Sequence, residues 1–202
     1  MIAVRLIVLA AIMLLWMPQS FAQAGDPIAR VKTFYSTLLD TMKEAKRLGI
    51  EGRYKKLAPV ITDTFDLPAM TRIAVGPTWT SLTPEQQAAL TSAFSRMTIA
   101  TYASRFDGYD GERFEVDPKP VERGADRIVN TRLIQNTGAP VVLNYLMRSS
   151  GGDWKIVDVY LNGTISELAT RRSEFAAILK SGGADALIKT LRARSDKLLA
   201  GS

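Results

Sequence analysis

The spacing of apolar side chains predicts helices in the first half of the chain. Residues 28–48 place apolar side chains three or four positions apart, which is the period of one helical face. Asp26 precedes them as an N-cap carboxylate, and Gly49 is expected to end this helix. A second helix is predicted over about 51–64, with a kink or a break at Pro59, because proline cannot donate a backbone hydrogen bond.

Two further helices follow before the pattern changes. Asp66 is a suitable cap for a short helix that ends before Gly76, where a Gly-Pro pair breaks the chain. Thr83 and Gln86 have the spacing of a capping box, in which each side chain bonds the other residue's backbone N–H. The helix that begins there is expected to reach about Phe106.

From Glu112 the apolar period becomes two, which is typical of strands with one buried face. The predicted strands are Arg113–Val116, Pro120–Arg123, Asp126–Gln135, Pro140–Arg148 and Trp154–Leu161. The helical period then returns over 165–180 and 184–199, with Gly182 and Gly183 between the two segments. This order predicts an α+β domain in which helices pack on one face of a curved antiparallel sheet.

The first 24 residues have the features of a secretory signal peptide. Arg5 precedes an apolar run of about twelve residues, and small residues at Ala22 and Ala24 suit cleavage. The run is shorter than the roughly 18–20 residues that span a bilayer, so cleavage is preferred over an uncleaved anchor. We therefore expect a signal peptide over 1–24 and a single exported domain over 25–202.

Composition excludes several classes of chemistry. The chain has no cysteine and no histidine, so disulfides, thiolate metal sites and Ser-His-Asp catalysis are not expected. Asp107, Asp110 and Glu112 form the densest acidic cluster, but their spacing does not match a calcium loop and instead suggests a turn. We predict no metal, no cofactor and no catalytic residue.

The net charge of +6 allows three interpretations: a solvated basic surface, attraction to anionic lipid headgroups, or an acidic partner. Nucleic acid is not an expected partner, because no basic stripe with interleaved stacking aromatics is present. Many large apolar side chains without catalytic residues favour a binding function. Burying a ~16-carbon acyl chain gains roughly 13 kcal/mol before costs, so an apolar cavity would suffice to hold a lipid.

The segments FDLPAM, VGPTW, TPEQQ and YASRFDGYDG follow one another along the chain. In wording and order they resemble the motifs of the MlaC family, the periplasmic lipid carriers also called toluene-tolerance proteins. AVGPTW, ATYASRFDGYDGERF and ATRRSEF are most similar to its HpnM branch, which is associated with hopanoid synthesis. The resemblance spans roughly Pro27 to Leu198, nearly all of the predicted mature chain.

The resemblance implies an apolar cavity between the helices and the sheet, with a phospholipid or hopanoid as ligand. It also implies an inner-membrane ABC lipid transporter and an outer-membrane lipid donor or acceptor as partners. Wall candidates are the large apolar side chains of the predicted sheet and helices, although core packing is an alternative role for each. They are Trp79, Phe94, Met97, Tyr102, Leu133, Val141, Leu143, Tyr145, Met147, Val157, Val159 and Ile165.

Arginines are the candidates for the cavity mouth. The family has a Tyr-Arg-x-x-Phe stretch where this chain has RRSEF, so Arg172 and Phe175 match and Arg171 replaces the tyrosine. Arg172 would meet an anionic headgroup, or would form an ion pair with Glu167 or Glu174. The other headgroup candidates are Arg72, Arg105 and Arg148.

Two other functions remain open at the level of the sequence. A secreted, carboxylate-dependent hydrolase or isomerase would need at least one buried carboxylate with a perturbed pKa in its pocket. A periplasmic adaptor that transports nothing would have a filled core and no cavity.

Overall fold

The computed structural model describes residues 25–201, and the predicted signal peptide lies outside this range. Within it, four helices precede the sheet and one follows it. Their bounds are α1 Pro27–Lys43, α2 Ala45–Thr64, α3 Leu67–Val75, α4 Pro84–Arg105 and α5 Glu167–Leu199, with a 3₁₀ turn over Gly76–Ser81. No helix in residues 25–201 is both long enough and apolar enough to cross a membrane.

The predicted caps of α1, α3 and α4 are confirmed in atomic detail, whereas α5 begins at Glu167, two residues later than the predicted start at Ile165. The Asp26 carboxylate accepts a hydrogen bond from the N–H of Ile28 at 2.9 Å, and Asp66 accepts one from Ala69 at 3.0 Å. At the start of α4, the N–H of Gln86 donates to the Thr83 hydroxyl, and the N–H of Thr83 donates to the Gln86 amide oxygen. These bonds fix where α1, α3 and α4 begin, and so fix which of their faces meets the sheet.

Two predicted helix bounds differ from the structure, since α1 ends at Lys43 and α2 begins at Ala45 rather than at about Glu51. The predicted interruption at Gly49 is present inside α2, where Gly49 leaves helical geometry with a φ of +61°, which only glycine adopts easily. Pro59 lies within α2 without breaking it. It is exposed, and so is Lys55 one turn earlier, so water can reach the Lys55 carbonyl that the proline leaves without a donor.

The sheet contains seven strands built around a central one. They are β1 Arg113–Val116, β2 Val121–Arg123, β3 Asp126–Val129, β4 Thr131–Ile134, β5 Val141–Ser150, β6 Asp153–Leu161 and β7 Ile165–Ser166. β5 pairs with β6 along one edge and with β3 and β4 along the other, and every pairing is antiparallel. β1 lies outside β4, β2 outside β3, and β7 outside β6. The predicted α+β class, with helices against an unclosed antiparallel sheet, is confirmed.

The predicted strand over 126–135 is divided at Asn130. β3 and β4 nevertheless pair with β5 in one continuous register, since Val129 faces Tyr145 and Arg132 faces Val142. Between them, the N–H of Thr131 donates to the side-chain oxygen of Asn144, which replaces a ladder bond. The interruption lets β1 and β2 pair with different halves of the same edge, which curves the sheet.

An aromatic cluster joins the helices to the sheet. The ring of Phe34 in α1 lies 5.3–6.4 Å from the rings of Phe65, Tyr102 and Tyr145, in edge-to-face contacts. Such contacts stabilise a core beyond the area that they bury. Two residues of this cluster, Phe65 and Tyr102, also line a cavity between the helices and the sheet.

Candidate functional site

A cavity of about 230 Å³ lies between α4, the start of α5 and the sheet. Apolar and aromatic side chains form most of its wall, and three charged side chains join it. The lining residues are Phe65, Met70, Phe94, Met97, Thr98, Thr101, Tyr102, Arg105, Phe106, Leu133, Val141, Leu143, Val159, Leu161, Glu167, Leu168 and Arg171.

One face of α4 forms the helical wall. Its cavity residues recur at intervals of three and four, beginning with Phe94 and Met97 and ending with Arg105. Between these ends lie Thr98 and Thr101, so the wall changes along the helix from apolar to polar to cationic. The Thr101 hydroxyl donates a hydrogen bond to the carbonyl of Met97.

The concave face of the sheet forms the opposite wall. Leu143 of β5 pairs with Leu161 of β6, and both side chains line the cavity together with Val159. Further along the two strands, the register between β5 and β6 shifts by one residue, which changes which side chains lie opposite each other. Tyr145 pairs with Val159, whereas Met147 pairs with Ile156, so Val157 is the extra residue of a β-bulge.

Seven of the twelve wall candidates line the cavity: Phe94, Met97, Tyr102, Leu133, Val141, Leu143 and Val159. The other five lie elsewhere, each for a local reason. Tyr145 and Met147 continue the inward face of β5 into the closed core, and Val157 is buried at the bulge outside the cavity. Trp79 lies in the 3₁₀ turn, where its carbonyl accepts a hydrogen bond from Gln87, and Ile165 is 52% exposed on β7.

Of the four arginines predicted for the mouth, Arg105 lines the cavity. Arg148 forms a two-pronged ion pair with Asp126, at 3.0 and 2.7 Å, away from the cavity. Arg72 is exposed on α3, and the guanidinium of Arg172 lies against the backbone of Gly76. Successive residues project from different sides of a helix, so Arg171, one residue earlier on α5, lines the cavity whereas Arg172 does not.

Sequence reasoning did not select several lining residues. Thr98 and Thr101 share the helical face of the chosen Phe94 and Met97, so the period alone could have found them. Arg171 was noted only as a departure from the family's tyrosine. The remaining additions lie in α3, β6 and α5 and directly after α2 and α4, and only the tertiary fold brings them together. They are Phe65, Met70, Phe106, Leu161, Glu167 and Leu168.

The charges near α5 form an alternating series. Arg171 lies 3.9 Å from Glu167 and 3.6 Å from Glu174, so the ion pair predicted as an alternative role of Arg172 is formed by Arg171 instead. Glu174 in turn bonds Arg194. The Arg194 guanidinium is the main reason that the pKa of Glu174 lies below its usual value.

Below the cavity, buried hydroxyl groups form a connected set. The hydroxyl of Tyr35 lies 2.5 Å from that of Thr131 and 3.0 Å from that of Tyr145, and Thr131 donates to the carbonyl of Leu143. Burial raises the pKa of Tyr35 to about 12 and also raises the pKa values of Tyr102 and Tyr145. These hydroxyls therefore stay neutral across the physiological range and tie α1 to the sheet.

Alkaline pH is expected to destabilise the protein through Tyr35. The pKa of Tyr35 in the folded protein is about 12, above the ordinary value of 10.0. Its contribution to the free energy of unfolding is therefore fully present below pH 10 and is lost as the pH rises through 12. A two-unit shift corresponds to about 2.7 kcal/mol. Urea unfolding of the wild type and of Tyr35→Phe at several alkaline pH values measures this effect. Tyr35→Phe should show the shallower fall in the free energy of unfolding, and identical slopes would contradict the assignment.

The start of α5, which brings Glu167 and Arg171 to the cavity, is held by a buried carboxylate. Asp158 of β6 accepts hydrogen bonds from the N–H of Leu168 at 3.1 Å and from the Ser166 hydroxyl. The Ser166 hydroxyl oxygen in turn accepts from the N–H of Ala169. These bonds satisfy the first N–H groups of the helix and fix it to the sheet.

Asp158→Ala is expected to lower the free energy of unfolding by about 2 kcal/mol, because it leaves a buried N–H without an acceptor. Hydrogen exchange should increase first at the N-terminus of α5. Asp153→Ala, at an exposed aspartate on the same strand, is the control and should change stability by about 0.5 kcal/mol or less. Equal losses in the two variants would show that Asp158 does not anchor the helix.

Comparison with known proteins agrees with the fold. The family model described as MlaC protein matches residues 32–193. The toluene tolerance protein ttg2D of Pseudomonas putida is 31% identical over 110 residues, which is 54% of this chain and 50% of that relative. This chain thus matches about half the length of that curated relative.

A solved structure is similar over a longer stretch. It is a phospholipid-binding protein from Ralstonia solanacearum in complex with a phospholipid, with a TM-score of 0.75 and 27% sequence identity. The similarity covers 86% of this chain and 99% of the other. With a family model that spans most of the chain and a shared fold, this protein belongs to the MlaC family.

Proposed function

We propose that this protein is a periplasmic lipid carrier that holds the apolar part of a phospholipid or hopanoid in the cavity between α4 and the sheet. The observation that carries the proposal is the cavity itself, whose wall is mostly apolar and also includes the charged side chains of Arg105, Glu167 and Arg171. This polarity matches a lipid, whose tails avoid water and whose headgroup seeks it. The phospholipid bound to the similar Ralstonia solanacearum protein supports the same ligand class.

The cavity gives a physical basis for transport. Each buried CH₂ gains about 0.8 kcal/mol relative to water, so a lipid tail crosses an aqueous space far more easily inside such a wall than exposed. The volume of about 230 Å³ is below the roughly 300–1,000 Å³ typical of ligand sites. A two-chain lipid would therefore need a wider cavity than this one.

The wider context of the proposal comes from sequence. Cleavage after Ala24 would release residues 25–202 into the periplasm. There the protein would exchange lipid with an inner-membrane ABC transporter and an outer-membrane donor or acceptor. The motifs similar to the HpnM branch keep hopanoid as an alternative cargo to phospholipid.

The alternative functions gain less support. Glu167 is the one carboxylate among the lining residues, and it lies opposite Arg171 rather than beside a second carboxylate. A carboxylate-dependent hydrolase or isomerase would need a more buried acid in the pocket. An adaptor with a filled core does not account for the cavity.

Native mass spectrometry of residues 25–202 purified from a Gram-negative periplasm tests the proposal. Lipid extracted from the same sample identifies the cargo. The carrier proposal predicts a bound phospholipid or hopanoid in a stoichiometric complex. A lipid-free mass that persists after incubation with vesicles of both lipid types would overturn it.

A further inference from the structure

The sheet wall of the cavity is buried at one end and approaches solvent at the other. Along β5, Met147 and Tyr145 are fully buried, whereas Leu143 and Val141 are partly exposed. Leu161, the last residue of β6, lines the cavity opposite Leu143 and is also partly exposed. The wall therefore meets solvent where β5 begins and β6 ends.

A row of apolar residues crosses the sheet at this end and leads out of the cavity. Leu143 lies opposite Leu161, and Leu161 lies opposite Ile165 of β7. Directly opposite residues on antiparallel strands project from the same face, with their Cβ atoms about 5 Å apart. Leu143 and Leu161 line the cavity, whereas Ile165 is 52% exposed. The apolar surface of the wall thus continues past Leu161 to an exposed side chain.

The backbone on both sides of Ile165 is held in place. The N–H of Thr164, the preceding residue, donates to the carbonyl of Leu161 at 3.3 Å. The hydroxyl of Ser166, the next residue, donates to the buried carboxylate of Asp158. Ile165 is therefore presented to solvent from a fixed position, and replacing its side chain is expected to leave the fold intact.

Exposure alone does not distinguish Ile165, because isolated exposed apolar side chains are common on proteins. Val121 of β2 is 50% exposed, but it lies opposite Ile128, which lies opposite Leu146. Leu146 follows the inward-facing Tyr145 along β5, so this second row lies on the face of the sheet away from the cavity. What distinguishes Ile165 is its place at the end of the row that leads out of the cavity.

From this row we propose that Ile165 is an entry residue, over which the acyl chain of a lipid slides as it enters or leaves the cavity. The inference rests on the proposed carrier function and adds the route that the lipid takes. A chain that crosses the rim is exposed to water before it reaches Leu161, and this exposure raises the barrier to transfer. Contact with Ile165 shortens the exposed length. Because Ile165 is not a lining residue, it changes this barrier and not the stability of the loaded protein.

Rates of lipid transfer test the inference. Delipidated protein, residues 25–202, is mixed with dioleoyl-phosphatidylglycerol vesicles that contain a self-quenched phospholipid with a fluorophore on one acyl chain. Fluorescence gives the rate of transfer to the protein and the amount bound at equilibrium. Covering about two methylene groups corresponds to about a tenfold change in rate. We therefore expect Ile165→Ser to slow both uptake and release about tenfold and to leave the amount bound unchanged.

Ile165→Leu and Val121→Ser are the controls, and both should keep the wild-type rates. The first retains an apolar side chain at the rim, and the second removes a similarly exposed one on the other face of the sheet. A wild-type rate in Ile165→Ser, or equal slowing in Val121→Ser, would overturn the inference and leave the carrier function standing. A smaller amount bound by Ile165→Ser at an unchanged uptake rate would also overturn it, because Ile165 would then belong to the binding wall. Failure of the wild type to take up lipid would instead refute the carrier function.

Chemical modification repeats the test on protein that is already folded, because the chain has no cysteine of its own. Ile165→Cys and Val121→Cys are each treated with a methanethiosulfonate reagent that attaches a sulfonate group. The charge at position 165 should slow uptake at least about tenfold, since the acyl chain would have to pass an ion. The same group at position 121 should leave the rate unchanged, and reduction should restore the rate at position 165. Equal rates in the two modified proteins would contradict a route over Ile165.

Discussion

Leu143→Glu is expected to reduce lipid retention by at least about a hundredfold while the protein stays folded. Leu143 lines the middle of the cavity opposite α4 and is partly exposed rather than part of the closed core. A bound acyl chain would displace water from a carboxylate at this position. Because an unpaired charge is costly to take out of water, the carboxylate opposes lipid binding. In the ligand-free protein, water in the cavity can solvate the new charge, so the fold is affected much less than binding.

Two neighbouring valines provide a second variant and a control. Val141 lines the cavity, whereas Val142 projects from the other face of β5, close to Gly163. Val141→Glu should reproduce the loss of bound lipid, and Val142→Glu should retain it. Circular dichroism and the lipid-to-protein ratio from native mass spectrometry report folding and binding separately. Normal retention in folded Leu143→Glu and Val141→Glu would mean that lipid does not occupy this cavity.

The largest expected loss of stability follows from Arg53. This guanidinium is 8% exposed and donates to two backbone carbonyls, that of Ala103 at 2.7 Å and that of Ala45 at 3.0 Å. Both alanines are buried, and Ala103 lies in the last turn of α4, where helix carbonyls have no intrahelical donor. Arg53 thereby joins α2 to the end of α4, two residues before Arg105.

Arg53→Met keeps most of the side-chain volume but removes both hydrogen bonds. At about 1.5–3 kcal/mol for each hydrogen bond to a charged group, we expect the free energy of unfolding to fall by about 4 kcal/mol. Arg47→Met is the control, since Arg47 is an exposed arginine whose ion pair with Glu44 contributes about 0–1 kcal/mol. Urea denaturation of the three proteins measures the difference. A loss below about 1 kcal/mol in Arg53→Met would contradict a structural role for this buried cation.

The sequence predicts the elements that local chemistry determines. Asp26, Asp66 and the Thr83–Gln86 pair cap the helices where their spacing indicates, because a cap depends on residues only two or three positions away. The alternation of Val141 and Leu143 likewise predicts the inward face of β5 correctly. These local signals are enough to establish the α+β class.

What the sequence does not predict depends on contacts between distant elements. The bulge at Val157 changes the phase of β6, and no local pattern distinguishes a bulged strand from a regular one. Tyr145 and Met147 share a strand face with Leu143, but the helices close the core over them and leave space over Leu143. Arg171 and Arg172 are adjacent in sequence, and only the rotation of α5 decides which one meets the cavity.

The central claim is that acyl chains lie between α4 and the sheet, and photocrosslinking tests it most directly. The protein is loaded with a phospholipid whose acyl chains carry a diazirine, irradiated, digested and sequenced by mass spectrometry. The account predicts crosslinks on Phe94, Met97, Leu143 and Leu161, and their loss in Leu143→Glu. Crosslinks concentrated instead on the surface groove around Ile188 and Arg192, between α4 and the second half of α5, would contradict it.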